Sequence, residues 1–161
     1  MTAFQIEDIR GFTSQLFVKE TFDSFLLKEA KVVTYNSFSI DGRIRHGYFT
    51  EEELEENRIE EYSYWRTIRP ICYSLIRGKR LPESFHIILK LAPKDVCKVA
   101  GQSGGAVRGE DIEGMYLNIR YENRELACIT GLSMKTFTMD KTMDGLWDET
   151  VKEFFRSKGI V

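Results

Sequence analysis

The stretch MYLNIRYENRELACIT, Met115 to Thr130, decides the fold. Met115, Leu117, Ile119 and Tyr121 fall on one side of an extended chain, and Tyr116, Asn118, Arg120 and Glu122 on the other. A period of two marks a strand with one buried face. Asn123-Arg124 then turns the chain into Leu126–Thr130, so the stretch predicts an antiparallel hairpin. Upstream, Phe85, Ile87, Leu89 and Leu91 alternate in the same way between Pro82 and Pro93, and downstream Phe137 predicts a further strand. Nearer the N-terminus, Val32, Val33, Thr34, Tyr35, Phe38 and Ile40 run into Asp41-Gly42. That pair suits a type I′ turn, which predicts a hairpin returning through Arg43-Ile44-Arg45.

Between these segments the period changes to that of a helix. Ile6, Ile9, Phe12 and Leu16 predict an amphipathic helix over 6–18, and Thr21 reads as the N-cap of a short apolar block running from Phe22 to Leu27. Thr50 and Glu53 form a capping box that opens an acidic helix. Trp65, Ile68, Cys72, Leu75 and Ile76 make a buried stripe on a helix ending at Gly78, with Pro70 inside it. A short helix from Lys94 to Ala100 is expected to end at Gly101. The last helix carries Leu146, Trp147, Thr150, Val151, Phe154 and Phe155 on one face, with acids early and bases late as the helix dipole prefers. The expected architecture is α+β: an antiparallel sheet, hairpin plus meander, with helices packed on one face and residues 1–161 forming a single domain.

The composition agrees. The 161 residues are 42% hydrophobic and 30% charged, enough to bury a core without disulfide staples. A net charge of −2, from 23 Lys+Arg against 25 Asp+Glu, argues against a surface built to grip nucleic acid or acidic lipid. The longest solid apolar run is Ile87-Ile88-Leu89, far below the roughly 20 residues a membrane span requires. Met1–Arg10 lacks the features of a secretory signal, and three cysteines without a CxxC pair read as reduced thiols. Cytoplasmic residence is the expectation.

The run Arg69–Leu91, together with SFSIDG (Ser37–Gly42) and the LNIRYENRELACITG, KTFTMDK and LWDETVKEFF segments within Leu117–Phe155, resembles a family of short uncharacterised proteins from Firmicutes, a domain of unknown function. The likeness covers nearly the whole chain. It implies a bacterial, cytosolic origin and supplies no activity, cofactor or catalytic residue.

Candidate chemistry is sparse. His46, His86 and the cysteines Cys72, Cys97 and Cys128 lack zinc-ligand spacing, and the glutamates at 51–56 lack the glycine-centred loop of a calcium site. No cofactor motif is found. Cys72 and Cys128 fall in apolar segments, where a free thiol behaves as a small hydrophobe. The loop Gly101–Gly109, with Gly104, Gly105 and Arg108, holds the ingredients of an anion nest but matches no phosphate-binding fingerprint. Its plainer reading is a helix end and a connection.

The unusual feature is a charge dipole along the chain. Residues 51–61 carry seven glutamates and one arginine, net −6, whereas 62–82 carry Arg66, Arg69, Arg77, Lys79 and Arg80 and no acid. These five are the candidate partner- or anion-binding residues, set against the reading in which they flank a buried helix and favour its C-terminus. With no catalytic motif, the reading chosen is a non-catalytic interaction module working through this basic helix face. Its partner would be an acidic protein or a second copy of the chain, and the phosphate groups of a nucleotide or RNA would also suit arginine forks. The alternative is a ligand-binding protein or enzyme with a pocket between sheet and helices, for which Asn36, His86 and Arg120 are candidates.

Overall fold

The computed structural model describes residues 1–161. Its elements in chain order are β1 (Ala3–Ile6), α1 (Ile9–Phe17), β2 (Leu26–Val33), β3 (Ser37–Asp41), α2 (Glu51–Asn57), α3 (Trp65–Ile76), β4 (Ser84–Lys90), α4 (Pro93–Gly101), β5 (Ile112–Glu122), β6 (Glu125–Met134) and α5 (Thr142–Ser157). The six strands form one antiparallel sheet in the order β1-β6-β5-β4-β2-β3. The architecture is α+β, as the alternation in 115–130 requires.

In this order the β5–β6 hairpin is flanked by β1 and β4. Its turn residues Asn123 and Arg124 have φ of +52° and +62°, the pair of left-handed conformations that matches the twist of the flanking strands. Met115, Leu117 and Ile119 are fully buried, and Phe85, Ile87 and Leu89 of β4 and Leu126 and Cys128 of β6 join them on the same face. Over that face α3 lies on β2, α4 on β5 and α5 on β6, while α1 packs against α3. A single cluster of 29 buried residues links all of these elements. The indole N–H groups of Trp65 and Trp147, both buried, donate to the carbonyls of Leu16 and Tyr116 at 2.9 and 3.0 Å, so neither ring is buried with an orphaned donor. The opposite face of the sheet carries no helix.

Several expectations are corrected. Ile6 belongs to β1, which pairs with β6, and α1 begins only at Ile9 after Asp8, whose carboxylate accepts from the Gly11 amide at 3.0 Å. The block after Thr21 is a turn leading into β2; the Thr21 hydroxyl donates to Gln15 and caps no helix. The β2–β3 hairpin turns at Thr34-Tyr35-Asn36, with Val33 opposite Ser37, seven residues before Asp41-Gly42. Gly42 is required for another reason: a Cβ there would lie 1.8 Å from the Leu27 carbonyl oxygen. Arg43–Arg45 is no strand, and only Arg43 makes an isolated pairing, with Tyr62. Gly101 remains helical and Gln102 is the cap. Phe137 anchors no strand and is 92% exposed.

Candidate functional site

Helix α3 organises the basic residues. Trp65 and Cys72 are fully buried on its inner face, with Ile68, Leu75 and Ile76 packed against the core. Pro70 sits within the helix, so the Arg66 carbonyl receives no helical N–H. Beyond Ile76 the chain leaves the helix at once: Arg77 is extended, and Gly78 turns at φ +133°.

The five cations do not share one face. Arg69 is internal, its guanidinium gripping the Asp23 carboxylate through two bonds of 2.9 and 3.0 Å and the Val18 carbonyl through a third of 3.0 Å. Both side chains of that pair are about four-fifths buried, at 16% and 20% exposure. Arg66, near the helix N-terminus, lies over the Tyr64 ring, 4.0 Å from its centroid. None of the five pairs with the glutamates of 51–61; the nearest such bridge joins Glu61 to Arg43. The expected single basic helix face is therefore divided into an internal strut, a residue at the helix start and a cluster past its end.

That cluster is the candidate site. Arg77, Lys79 and Arg80 are exposed and have no carboxylate within ion-pairing distance. They border a cavity of about 500 Å³ whose apolar lining comes from Leu75, Ile76, Leu81 and Tyr35, with Glu83 its one acid. Tyr35 is 88% exposed and Leu81 71% exposed, and beside them the Thr34 hydroxyl is buried with no hydrogen-bond partner. Thr34 and Tyr35 come from the β2–β3 turn and the cations from the α3–β4 connection, so the site joins segments over forty residues apart in sequence. Tyr35, Thr34 and Leu81 were not anticipated. Leu81 was legible in part, as an apolar residue between Arg80 and Pro82 with no helical or strand period to absorb it.

The glycine loop is spent on itself. The Ser103 hydroxyl donates to the Ala100 carbonyl at 2.7 Å and accepts from the Val107 amide at 3.1 Å. The Arg108 amide donates to Asp111, and its guanidinium meets Glu110 at 3.3 Å. Gly104 and Gly105 have φ of +70° and +92°, which explains the glycines as turn residues.

The core cluster occupies the layer between sheet and helices, and none of Asn36, His86 and Arg120 belongs to it. Asn36 is in the β2–β3 turn, apart from the other two candidates. His86 and Arg120 are cross-strand neighbours on the helix-free face, in a row with Lys31. Burial, and then Arg120, hold the His86 imidazole below the usual histidine range, with Glu29 and Asn118 opposing. Cys128 points to the other side of the sheet and Cys72 into the core; burial pushes the Cys72 thiol up to about 11 and raises that of Cys128 as well. Neither is a nucleophile placed beside an imidazole. No three His, Cys, Asp or Glu side chains converge as a metal site.

A family model described as a family of unknown function (DUF5721) matches residues 15–161. The chain belongs to that family. The DUF5721 match takes in everything from the last third of α1 onward, including both ends of α3 and the whole candidate site, and leaves out β1. No curated protein and no solved structure matches the chain. No helix is long and apolar enough to cross a membrane.

Proposed function

We propose that this DUF5721 chain is a single-domain interaction protein of the bacterial cytosol, of the Firmicutes origin its sequence resemblance implies, that takes an acidic protein segment at the C-terminal end of α3. One observation carries the reading: three cations with no carboxylate partner, in a chain richer in acids than bases, border a cavity whose apolar lining is Tyr35, Leu75, Ile76 and Leu81 and whose one acid is Glu83. Exposed cations that serve only solubility need no such floor. Here Tyr35 and Leu81 offer apolar contact beside Arg77, Lys79 and Arg80, the combination that recognises carboxylates spaced among apolar side chains. The cations also complement the negative end of the α3 dipole, so they stabilise the helix while free and are already in place for a partner.

The test is fluorescence anisotropy with a labelled peptide of alternating glutamate and leucine. Binding is expected at about 50 mM salt and is largely lost at about 500 mM, where the Debye length falls below about 5 Å. The combined Arg77→Ser, Lys79→Ser and Arg80→Ser variant should not bind, while Tyr35→Ala binds more weakly at every salt concentration. Equal binding by wild type and the triple variant would refute the assignment.

A further inference from the structure

The opposite end of α3 carries a second cavity, of about 650 Å³, between the segment 44–49, the end of α2 and the first turn of α3. We infer that this groove is a mononucleotide site, in which Arg58 and Arg66 take the phosphate and the exposed Tyr48 ring takes the base.

The charge distribution is the first argument. The neighbouring segment 51–61 holds seven glutamates, yet of these only Glu60 lines the groove, while Arg45, Arg58 and Arg66 all do. Arg43 is engaged by Glu61 at 2.8 Å and Arg45 by Asp41 at 3.5 Å. Arg58 and Arg66 have no carboxylate within ion-pairing distance despite the abundance of acids nearby. Two free guanidiniums on one cavity suit a dianionic phosphate, which each fork can meet through two parallel N–H bonds.

The second argument is the aromatic lining. Tyr48, Phe49, Tyr62 and Tyr64 all border the groove. Tyr48 meets Phe49 in a T-shaped contact, with ring centroids 5.4 Å apart, and at 86% exposure most of its ring is free for a stacking partner. The Arg66 guanidinium carbon lies 4.0 Å from the centroid of the Tyr64 ring, a cation–π contact that restrains the side chain and lowers the entropy lost when it binds. A third observation concerns the backbone. Arg58 ends α2 in the left-handed conformation, φ 46° and ψ 55°, where glycine or asparagine is the less costly residue. The chain places an arginine there, and that side chain lines the cavity.

Neither half of a nucleotide suffices alone on this reading: the ring supplies stacking and the phosphate fills the two forks. The groove shares no lining residue with the basic cavity past Ile76, so the two readings stand or fall separately.

The experiment is isothermal titration calorimetry with AMP, GMP, CMP and UMP, alongside adenosine and inorganic phosphate. At least one mononucleotide is expected to bind, with adenosine and phosphate alone each weaker by roughly tenfold or more. Arg66→Gln and Tyr48→Ala should each weaken that nucleotide by roughly tenfold, since each removes a charged fork or a stacking face. Both side chains are exposed, and an unchanged melting temperature identifies the loss as one of binding. The Arg77→Ser, Lys79→Ser and Arg80→Ser variant should bind the nucleotide as wild type does. Absence of binding by all four nucleotides, phosphate binding as tightly as any of them, or undiminished affinity in Arg66→Gln overturns the proposal.

Discussion

Replacing Arg69 by Met separates the internal cation from the external ones. The substitution keeps an unbranched aliphatic stem and removes three hydrogen bonds, two to the Asp23 carboxylate and one to the Val18 carbonyl. It also leaves Asp23 unpaired at 20% side-chain exposure. Breaking a fully buried pair by deleting one partner costs about 3–5 kcal/mol, and the residual solvent contact of this one lowers the expectation to about 2–3 kcal/mol. For a chain of this size each kcal/mol moves the melting temperature by about 2–4 °C, so a fall of about 4–12 °C is expected. Urea unfolding followed by tryptophan fluorescence is the assay, because Trp65 and Trp147 are both buried and Trp65 lies in the same helix as Arg69. The same measurement on Arg77→Ser, Lys79→Ser and Arg80→Ser, singly, should give changes within about 0.5 kcal/mol. A loss below about 0.5 kcal/mol for Arg69→Met, or an equal loss for the three outer variants, would refute the division of the basic residues into strut and site.

Gly42→Ala is expected to destabilise by about 2–4 kcal/mol, because the new Cβ meets the Leu27 carbonyl oxygen, a backbone atom that cannot swing aside; thermal melting checks it. Titration of the native protein with a thiol reagent near neutral pH should show one fast thiol, exposed Cys97, with the buried Cys72 and Cys128 reacting only on unfolding; Cys97→Ser should abolish the fast phase. The fold favours neutral His86, so as pH falls through the ordinary histidine pKa the unfolded chain binds the proton first. Stability present near neutrality is therefore lost toward acid, and the urea midpoint of His86→Gln should fall less between about pH 7 and pH 5 than that of wild type.

What the sequence disclosed follows from how local each determinant is. The β5–β6 hairpin, β4, the Thr50 capping box and α5 were legible because side-chain period and cap chemistry are read within a few residues. The Asp41-Gly42 pair misled because its chemistry permits a tight turn, whereas Gly42 is a glycine for a distant neighbour, the Leu27 carbonyl. Strand β1 gave no signal: a four-residue edge strand is defined by its pairing with β6. For the site, residue type was visible and allegiance was not. Arg66, Arg69 and Arg77 look alike in the sequence, and only the turn that brings Asp23 beneath α3 shows that Arg69 is committed. Likewise Tyr35 reads as a strand residue until the turn at Thr34–Asn36 delivers it to the rim of the basic cavity.

The most direct test of the interaction reading is an amide-resolved NMR titration of the full chain with the glutamate–leucine peptide. Shift changes should concentrate at residues 75–83 and at Thr34 and Tyr35, and should be absent from the amides around Arg69. Changes centred on the helix-free sheet face around His86 and Arg120, or no change at saturating peptide, would contradict it.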